Sequence, residues 1–383
     1  MNILVDARVL TTGLLTGIEN YTLLLLGELL RQDAKNRYSF FLNRFRSGAL
    51  SLGSERVLRS PAVNWHVPNK LLDACVRFTR EPKIDRLIKT DLVWSPHINI
   101  IGTTARVKHV ITVHDLSWVR YPNFFSLRKR FWHWMQDVRG QVRRATRLIA
   151  VSEATRRDVI ATFGVAPEKV VTVHSGVNPF FRRIPADDAS LREFRARHNL
   201  AKPFFLFVGT LEPRKNVAGI VEAFNAVKGR ASCRDASLVL VGRRGWLYDG
   251  IMRAIGGSPH RHDIRLWGPA TEEELRYLYN LARAFVYPSL FEGFGFPVLE
   301  AQACGAPVVT SDNSSLPEVA GVGAMFVNPH DDGTLADAME KIFADEPLRA
   351  ALREKGFANV KRFSWRRAAE ETLAVLEEAG NQI

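Results

Sequence analysis

The chain has 383 residues, of which 46% are hydrophobic, and it carries a formal net charge of +13 at pH 7. This length exceeds the usual size of one hydrophobic core, so we predict two domains of about 150 to 200 residues each. No uncharged apolar run approaches the roughly 18 residues of a membrane span, and residues 1–8 have the pattern of a strand rather than of a signal peptide. Three well-separated cysteines support neither a disulfide framework nor a zinc cluster, so we predict a cytoplasmic protein.

The positive charge is unevenly distributed along the sequence. Residues 1–180 contain 27 Lys and Arg against 14 Asp and Glu, whereas the rest of the chain contains 26 of each class. The excess therefore belongs to the first half, and it indicates an anionic partner for that half.

The first half alternates short apolar runs with helical or irregular segments. The first strand is predicted at residues 3–5, and a glycine-containing loop at 13–17 leads to an amphipathic helix at 21–30. Further buried strands are predicted at 38–42, 92–94, 108–113, 148–151 and 170–173. Short buried strands that are separated in this way are typical of a parallel sheet.

A second series of the same kind begins at residue 204. Strands are predicted at 204–208, 237–241, 264–266, 284–287, 307–310 and 324–327. Helices are predicted between them at 217–227, 272–281 and 298–303. Two such series predict an α/β protein with two Rossmann-like, doubly wound domains that face each other across a cleft. Ligands would then bind beyond the carboxyl ends of the strands.

The boundary between the domains is predicted from the composition of the intervening segment. Residues 179–202 carry mixed charge, several prolines and one predicted helix at 190–198, as expected for a linker. The first domain then spans residues 1–178 and the second spans residues 203–363. The tail from Ser364 onward has the cap and the apolar spacing of a last amphipathic helix.

Two glutamates flank a glycine-rich turn in the second series. Glu292 and Glu300 lie on either side of Gly293, Gly295 and Pro297, and the proline suits the first turn of a helix. A helix that begins there directs N–H groups and a partial positive charge toward the loop. Carboxylates also accept hydrogen bonds from hydroxyl groups. The predicted occupant therefore carries both phosphates and many hydroxyls, as a nucleotide sugar does.

Two adjacent cations follow the first strand of the second series. Arg214 can bind a phosphate through two parallel hydrogen bonds, and Lys215 can neutralise another oxygen as a point charge. An isolated pair of this kind is more often a solvated turn, but the two glutamates of the same domain favour phosphate binding. The sequence contains no Asp-x-Asp motif, so we predict that no metal cofactor is required.

A polar pair also ends one strand of the first series, where His114 and Asp115 follow the strand predicted at 108–113. His114 could bind a sugar hydroxyl or orient an acceptor, with Asp115 fixing its tautomer. A single histidine at a strand end is more often structural, yet this position would face the predicted cleft. The loop at 13–17 gives a weaker prediction, because glycine turns after a first strand are common, although their amides can approach a phosphate.

The segment 118–147 interleaves aromatic residues with cations. A basic amphipathic surface of this type can lie on an anionic membrane face. The same composition could bind nucleic acid, or it could form a helix whose aromatic side chains face the core while its arginines are solvated. We favour peripheral contact with the inner face of the plasma membrane and expect no nucleic acid partner.

Three segments together carry a family resemblance. They are Thr112 to Asp115, Gly209 to Asn216, and Glu292 to Glu300 in a Glu-x7-Glu arrangement. The chain resembles the retaining glycosyltransferases of family 4, which have the two-domain B-type fold, over essentially its whole length. In this family a C-terminal helix crosses back onto the first domain, so the resemblance implies that residues 364–383 complete that domain here.

The resemblance implies roles for individual residues of this chain. Arg214 and Lys215 would hold the donor diphosphate, while Glu292 would bind the donor sugar. His114 would lie beside the reacting sugar, and Glu300 would bind the ribose. The implied catalytic residues are His114, Glu292, Arg214 and Lys215. The implied donor-binding residues are Gly17, Thr210, Arg214, Lys215, Arg243, Trp267, Glu292, Phe294, Gly295, Phe296 and Glu300.

The early loop and the first strand end of the second domain depart from the family pattern. The loop usually reads Gly-x-Gly, but Gly17 is followed by Ile18 and Glu19, so Gly17 alone carries the predicted phosphate contact. Thr210 stands where some relatives have an arginine. Neutralisation of the donor charge would therefore depend more on the two cations that follow it.

A narrower similarity is to mannosyltransferases that build bacterial surface polysaccharides. It implies that the protein transfers a hexose to a lipid-linked or oligosaccharide acceptor, and the first candidate is mannose from GDP-mannose. The implied reaction needs no metal and retains the anomeric configuration, and the leaving phosphate takes the acceptor proton. A UDP- or dTDP-sugar donor is the alternative within the family. A B-fold epimerase that acts on the nucleotide sugar itself, or a basic nucleic-acid-binding protein, is the alternative from another class.

Overall fold

The computed structural model describes residues 1–11, 17–43 and 60–382. The chain divides into two compact units, one formed by residues 1–176 together with 364–383, and the other by residues 177–363. The predicted glycine loop at 13–17 lies outside the described residues except for Gly17. Each unit is built around one parallel sheet with its own buried core.

The first unit contains a seven-stranded sheet in which all paired strands are parallel. Its strands are β1 (Asn2–Asp6), β2 (Arg37–Asn43), β3 (Ala62–Trp65), β4 (Leu92–Ser95), β5 (Lys108–Val113), β6 (Arg147–Ala150) and β7 (Val170–Thr172). The strand order is β3-β2-β1-β4-β5-β6-β7. The chain moves outward from β1 to β3 on one side and continues with β4 on the other, so β1 and β4 form the topological switch point.

Helices cover this sheet, and their apolar residues contribute to its core. They are α1 (Gly17–Gln32), α2 (Asn69–Thr79), α3 (Ser117–Arg120), α4 (Leu127–Met135), α5 (Val138–Arg144) and α6 (Glu153–Phe163). The start of α6 is fixed by Ser152, whose hydroxyl accepts a hydrogen bond from the Thr155 amide at 3.0 Å.

The second unit contains a six-stranded sheet whose paired strands are also parallel. Its strands are β8 (Phe204–Val208), β9 (Ser237–Val241), β10 (Ile264–Gly268), β11 (Ala284–Tyr287), β12 (Val308–Ser311) and β13 (Ala324–Val327). The order β10-β9-β8-β11-β12-β13 places the switch point between β8 and β11. Every residue of these two central strands is buried, which explains their continuous apolar sequences.

The helices of the second unit alternate with its strands. They are α7 (Ala189–Arg197), α8 (Val217–Lys228), α9 (Asp249–Gly257), α10 (Glu272–Leu281), α11 (Phe296–Cys304), α12 (Leu316–Ala320), α13 (Asp332–Ala344) and α14 (Glu346–Val360). Thr271 and Glu274 form a reciprocal capping box at the start of α10. Residues 179–202, which the sequence presents as a linker, pack onto this unit, because Phe181, Leu191 and Phe194 are buried in its core.

The last helix, α15 (Trp365–Asn381), packs against α1 and β5 in the first unit. Ser364 caps it by accepting a hydrogen bond from the Arg367 amide at 3.2 Å. The Trp365 ring lies edge-on to Tyr21 with centroids 5.8 Å apart. Within the described ranges, no helix is long and apolar enough to cross a membrane.

Candidate active site

Arg214, Lys215 and Glu292 meet at the switch point of the second sheet. The two cations lie in a short 3-10 turn after β8, and the glutamate lies in the loop after β11, the strand that pairs with β8. Arg214 Nη1 donates to Glu292 Oε2 at 2.9 Å, and Lys215 Nζ donates to Glu292 Oε1 at 2.5 Å. The structure therefore brings Glu292 to two cations that precede it by 77 and 78 positions, at the carboxyl ends of neighbouring strands.

Burial and neighbouring charges shift the pKa values of Glu292 and Lys215. Burial raises the pKa of Glu292, but the positive charges of Arg214 and Lys215 outweigh it and lower this pKa to about 2. Burial, together with the nearby charge of Arg214, lowers the pKa of Lys215. Lys215 Nζ also donates to the Tyr287 hydroxyl at 2.5 Å, so its orientation is fixed from two sides.

Glu212 is a fourth member of this cluster that the sequence interpretation missed. Its carboxylate is buried and accepts hydrogen bonds from Arg214 Nε at 3.0 Å and Nη2 at 2.7 Å. The cluster consequently contains two cations and two carboxylates with a net charge of zero. The sequence indicates a role for Glu212 only through its position, since it lies on a strand-end loop, in the segment 209–216 and two residues before Arg214.

The loop that carries Glu292 is held by polar side chains from the last residue of β12 and from the segment that follows it. Three of them donate to backbone carbonyls of residues 289–294: Ser311 Oγ to Ser289 at 2.7 Å, Asn313 Nδ2 to Leu290 at 3.0 Å, and Ser315 Oγ to Phe294 at 2.6 Å. The Glu292 amide in turn donates to Ser314 Oγ at 3.1 Å. These bonds fix the backbone of the loop and hence the position of the Glu292 side chain.

Helix α11 begins directly after this loop. Gly295 has a φ of +120°, a conformation that strongly favours glycine, and Pro297 occupies the first turn of the helix. A Cβ atom on Gly295 would lie 3.0 Å from Leu316 Cδ2. The residues predicted to offer amides to a donor, Phe294 to Phe296, therefore lie at the helix start, where backbone N–H groups favour anions.

Glu300 is the fifth residue of α11 and pairs with a tyrosine of α10. Its Oε2 accepts a hydrogen bond from the Tyr279 hydroxyl at 2.9 Å. Burial raises the pKa of Glu300 to about 7, the negative charge of Glu272 adds to this effect, and the Tyr279 hydrogen bond opposes it. The Glu300 carboxyl group therefore titrates close to neutral pH.

The other predicted donor-binding residues follow three neighbouring strands. Thr210 is half-buried after β8, and Arg243 is exposed after β9, where its carbonyl accepts from the Leu211 amide at 2.9 Å. The Trp267 side chain packs against the rings of His198 and Phe194. Contact between a base and the backbone around Trp267 and Gly268 stays a prediction.

In the first unit, His114 follows β5 and its ring lies edge-on to Tyr21 with centroids 4.6 Å apart. His114 Nε2 lies 2.8 Å from the Pro96 carbonyl and donates to it, so the other ring nitrogen is the acceptor in the neutral form. Burial lowers the pKa of His114. The prediction that Asp115 fixes the tautomer is wrong, because Asp115 accepts from the Ser117 amide and hydroxyl at 3.0 and 2.7 Å.

A second buried polar cluster lies at the switch point of the first sheet and was not predicted. Arg8 donates to both carboxylate oxygens of Asp6 at 2.8 and 2.7 Å, and Arg8 Nη1 lies 3.7 Å from Asp73 Oδ1. His97 Nε2 lies 3.7 Å from Asp6 Oδ2 and has no hydrogen-bond partner among residues 1–11, 17–43 and 60–382, although the side chain is buried. Gly17, predicted to approach a phosphate, is the exposed first residue of α1 on this unit.

Among the described residues, no three or more His, Cys, Asp or Glu side chains are grouped so that they could hold a metal ion. The predicted independence from metal remains a prediction.

Comparisons with known proteins agree with this architecture. Residues 15–180 match the family described as Glycosyltransferase Family 4, and residues 191–358 match the family described as Glycosyl transferases group 1. The O-antigen chain mannosyltransferase B of Escherichia coli is 32% identical over 265 residues, which cover 69% of this chain and 68% of that protein. The serotype-specific mannosyltransferase WbdA of Escherichia coli is 29% identical over 273 residues, which cover 71% of this chain but 34% of that protein.

A solved structure extends the comparison to the whole fold. Anabaena Alr3699/HepE, crystallised in complex with UDP and glucose, matches with a TM-score of 0.72 and 18% sequence identity, covering 99% of this chain and 100% of that chain. This structural similarity shows the fold alone, whereas the sequence matches show the family. Together they show that the chain belongs to glycosyltransferase family 4 and has the two-domain B-type fold.

Proposed function

We propose that this glycosyltransferase moves a hexose from a nucleoside diphosphate sugar to a lipid-linked or oligosaccharide acceptor in surface polysaccharide synthesis. Mannose from GDP-mannose is the first candidate donor. The observation that carries the proposal is the Arg214, Lys215 and Glu292 cluster at the switch point of the second sheet. The likeness to the O-antigen chain mannosyltransferase of Escherichia coli supports the choice of mannose.

The cluster offers the groups that departure of a nucleoside diphosphate requires. As the bond between the sugar C1 and the phosphate oxygen breaks, negative charge develops on that oxygen, and Arg214 and Lys215 stabilise it. Glu292 accepts hydrogen bonds from the sugar hydroxyls and positions C1. The α11 amides between Phe294 and Phe296 contribute further donors, and Glu300 accepts from the ribose.

We propose that the reaction retains the anomeric configuration and requires no metal. The acceptor oxygen forms its bond to C1 on the face from which the phosphate departs, and the leaving phosphate oxygen takes the acceptor proton. Atoms and charge balance without a protein nucleophile. The acceptor nitrogen of His114 would receive a hydrogen bond from a sugar hydroxyl, since its Nε2–H is engaged with Pro96.

The acceptor is assigned to the first domain. The polar cluster of Asp6, Arg8 and His97 lies at the switch point of its sheet, where ligands of such folds bind. His97 Nε2, which is buried and has no partner in the part of the chain that the structure describes, supports this assignment, because an unpaired buried polar atom is costly unless a ligand completes it. A peripheral position at the inner membrane face would bring this domain to a lipid-linked acceptor.

A UDP-sugar is the second donor candidate, and the UDP and glucose bound by Alr3699/HepE support it. Thermal unfolding in the presence of GDP-, UDP-, ADP- and dTDP-sugars separates the candidates, because a ligand that binds only the folded state raises the unfolding temperature. GDP-mannose should give the largest rise. No rise with any nucleotide sugar would contradict the proposal, and consumption of donor without acceptor would indicate an epimerase instead.

A further inference from the structure

Helix α2 exposes an apolar stripe in addition to its buried face. Leu72 and Val76 contact the core, while Leu71, Cys75 and Phe78 are spaced by four and three positions and lie along one exposed face. Leu71 is 56% exposed and Phe78 is 69% exposed. A helix that exposes apolar side chains along its length presents a binding surface rather than scattered surface residues.

Helix α4 repeats the same arrangement. Leu127, Phe131 and Trp134 have the same spacing, and they are 79%, 62% and 53% exposed. Met135 is the only residue of α4 that is buried. The helix therefore shows most of its apolar area to solvent, which leaves its aromatic residues available to a partner.

The two stripes adjoin each other. The Arg77 guanidinium of α2 lies 5.1 Å from the centre of the Trp134 ring of α4, and the helices are in contact. Arg77 Nη1 also lies 3.7 Å from Asp137 Oδ1, just beyond the end of α4. We call the exposed faces of α2 and α4 together the two-helix surface.

Positive charge surrounds this surface. The sequence of α4 contains Arg128, Lys129 and Arg130 and no acidic residue. A cavity of about 470 Å³ is lined by Arg77, which also contacts Trp134. Its other cationic lining residues are Arg80, Lys83, Lys108 and Arg144. Cations beside exposed aromatic and aliphatic side chains match a bilayer whose headgroups are anionic and whose interface accepts Trp and Phe.

We propose that the two-helix surface docks on a bilayer of anionic phospholipid. Leu127, Phe131 and Trp134 enter the interface together with Leu71 and Phe78, while the surrounding cations bind lipid phosphates. The docking proposal deepens the proposed function. It rests on that function in one respect, because a lipid-linked acceptor would be presented at such a bilayer. Nucleic acid would account for the charge but not for the apolar stripes, and a second copy of this basic chain would bring like charges together.

Sedimentation with vesicles tests the proposal directly. The full chain should bind vesicles of phosphatidylglycerol and phosphatidylcholine much more tightly than vesicles of phosphatidylcholine alone, and added salt should weaken this binding. The double variants F131S/W134S and R128E/R130E should each lower the partition coefficient at least about tenfold. Their exposed positions predict unchanged unfolding temperatures.

Matched controls lie in the second unit. V322S removes an apolar side chain that is 74% exposed, and R192E/R253E reverses two exposed arginines, so both controls should bind vesicles as the unaltered chain does. Equal binding by the test and control variants would overturn the proposal. Loss of a dimer or of RNA binding in the test variants, without loss of vesicle binding, would also overturn it.

Activity on a water-soluble acceptor distinguishes this proposal from the proposed function. Without vesicles, the test variants should transfer sugar at the unaltered rate, because none of their positions belongs to the donor or acceptor site. Vesicle binding without any sugar transfer would leave the docking surface supported and contradict the function. Sugar transfer without vesicle binding would support the proposed function and contradict the docking surface.

Discussion

Arg214 and Lys215 lie within 2.5 to 2.9 Å of carboxylate oxygens of Glu212 and Glu292. A donor diphosphate that binds here as proposed would therefore compete with two carboxylates for the same cations. The carboxylates hold the cations in place, and their negative charges offset the repulsion that two adjacent buried cations would otherwise experience. The proposed donor binding would consequently exchange the hydrogen-bond partners of Arg214 and Lys215.

Replacing Glu292 by Gln should destabilise the protein in a pH-dependent way. Since the folded pKa of about 2 lies below the ordinary value of 4.5, the charged glutamate stabilises the fold above pH 4.5, and this contribution is lost as the pH falls toward 2. At pH 7, E292Q should lower the free energy of unfolding by about 3 kcal/mol, because it leaves buried Lys215 without a carboxylate partner and Arg214 with Glu212 alone. Denaturant unfolding at pH 7 and at pH 3 measures the difference.

The difference in the free energy of unfolding between E292Q and the unaltered chain should be smaller at pH 3 than at pH 7. E222Q, at an exposed position on α8, is the matched control and should change the free energy of unfolding by less than about 0.5 kcal/mol. An equal difference in the free energy of unfolding at both pH values would show that the Glu292 charge does not stabilise the fold.

The Glu300 carboxyl group predicts a pH dependence of donor binding near neutrality. Its pKa of about 7 means that the carboxylate, the better acceptor for ribose hydroxyls, is lost as the pH falls below 7. Calorimetric titration with a nucleotide sugar should show weaker binding at pH 6 than at pH 8, and E300Q should remove this difference. A nucleotide sugar is the suitable probe, because its diester phosphates do not titrate in this range.

Two neighbours of Glu300 provide controls of opposite sign. Y279F removes the hydrogen bond that lowers the pKa of Glu300, so the midpoint of the pH dependence should rise. E272Q removes a negative charge that raises this pKa, so the midpoint should fall. The same pH dependence in E300Q and the unaltered chain would assign it to another group.

The identities of the site residues were predictable to different degrees. Arg214 and Glu292 could be placed at strand ends from the sequence, but their mutual ion pair could not, because it depends on β8 and β11 being neighbours. The rule that selected His114 also applies to His97, which follows β4 after the run Trp94-Ser95-Pro96. It was missed because no other polar residue adjoins it in sequence, and Asp6 reaches it only through the fold.

At the scale of the element, the start of α11 determines where the donor-binding amides lie. G295A places an alanine at a φ of +120° and a Cβ atom 3.0 Å from Leu316 Cδ2. The strain should lower the free energy of unfolding by about 1 to 3 kcal/mol and weaken nucleotide-sugar binding. Denaturant unfolding and calorimetric titration measure the two effects.

Gly256 offers a matched control for this substitution. It lies within α9, has no positive φ, and a Cβ atom there would meet nothing within 4 Å. G256A should therefore stabilise the protein by up to about 1 kcal/mol and leave donor binding unchanged. If G295A behaves like G256A, the backbone of the loop does not determine the geometry of the site.

Elements with strong sequence signals were predicted well, and those without such signals were not. The apolar run at 204–208 is β8, because a fully buried parallel strand needs apolar residues on both faces. No apolar run or alternating pattern indicates β3 (Ala62–Trp65), a four-residue edge strand that is partly exposed. Residues 179–202 have the composition of a linker, and only their packing in the second unit shows that several of their apolar residues belong to its core.

At the scale of the whole molecule, charge and chemistry are divided between the two domains. The excess of basic residues lies in the first 180 positions, together with the two-helix surface and the Asp6, Arg8 and His97 cluster. The second domain is close to neutral overall and carries the predicted donor site. The fold class followed from the two alternating series, whereas the donor and the acceptor depend on few side chains and could not be derived from patterning.

The central claim is that Lys215 and its partners activate a nucleotide sugar for transfer. Proton NMR of GDP-mannose with a water-soluble mannoside acceptor follows the release of GDP and the anomeric configuration of the product together. The unaltered chain should form product with retained configuration, and K215A should reduce the rate at least about 100-fold, because it removes a charge that stabilises the departing phosphate. K228Q, which removes another buried lysine that pairs with Asp263 at 2.9 Å, should retain the rate under conditions in which it remains folded. Full activity of K215A, or inversion at C1, would contradict the account.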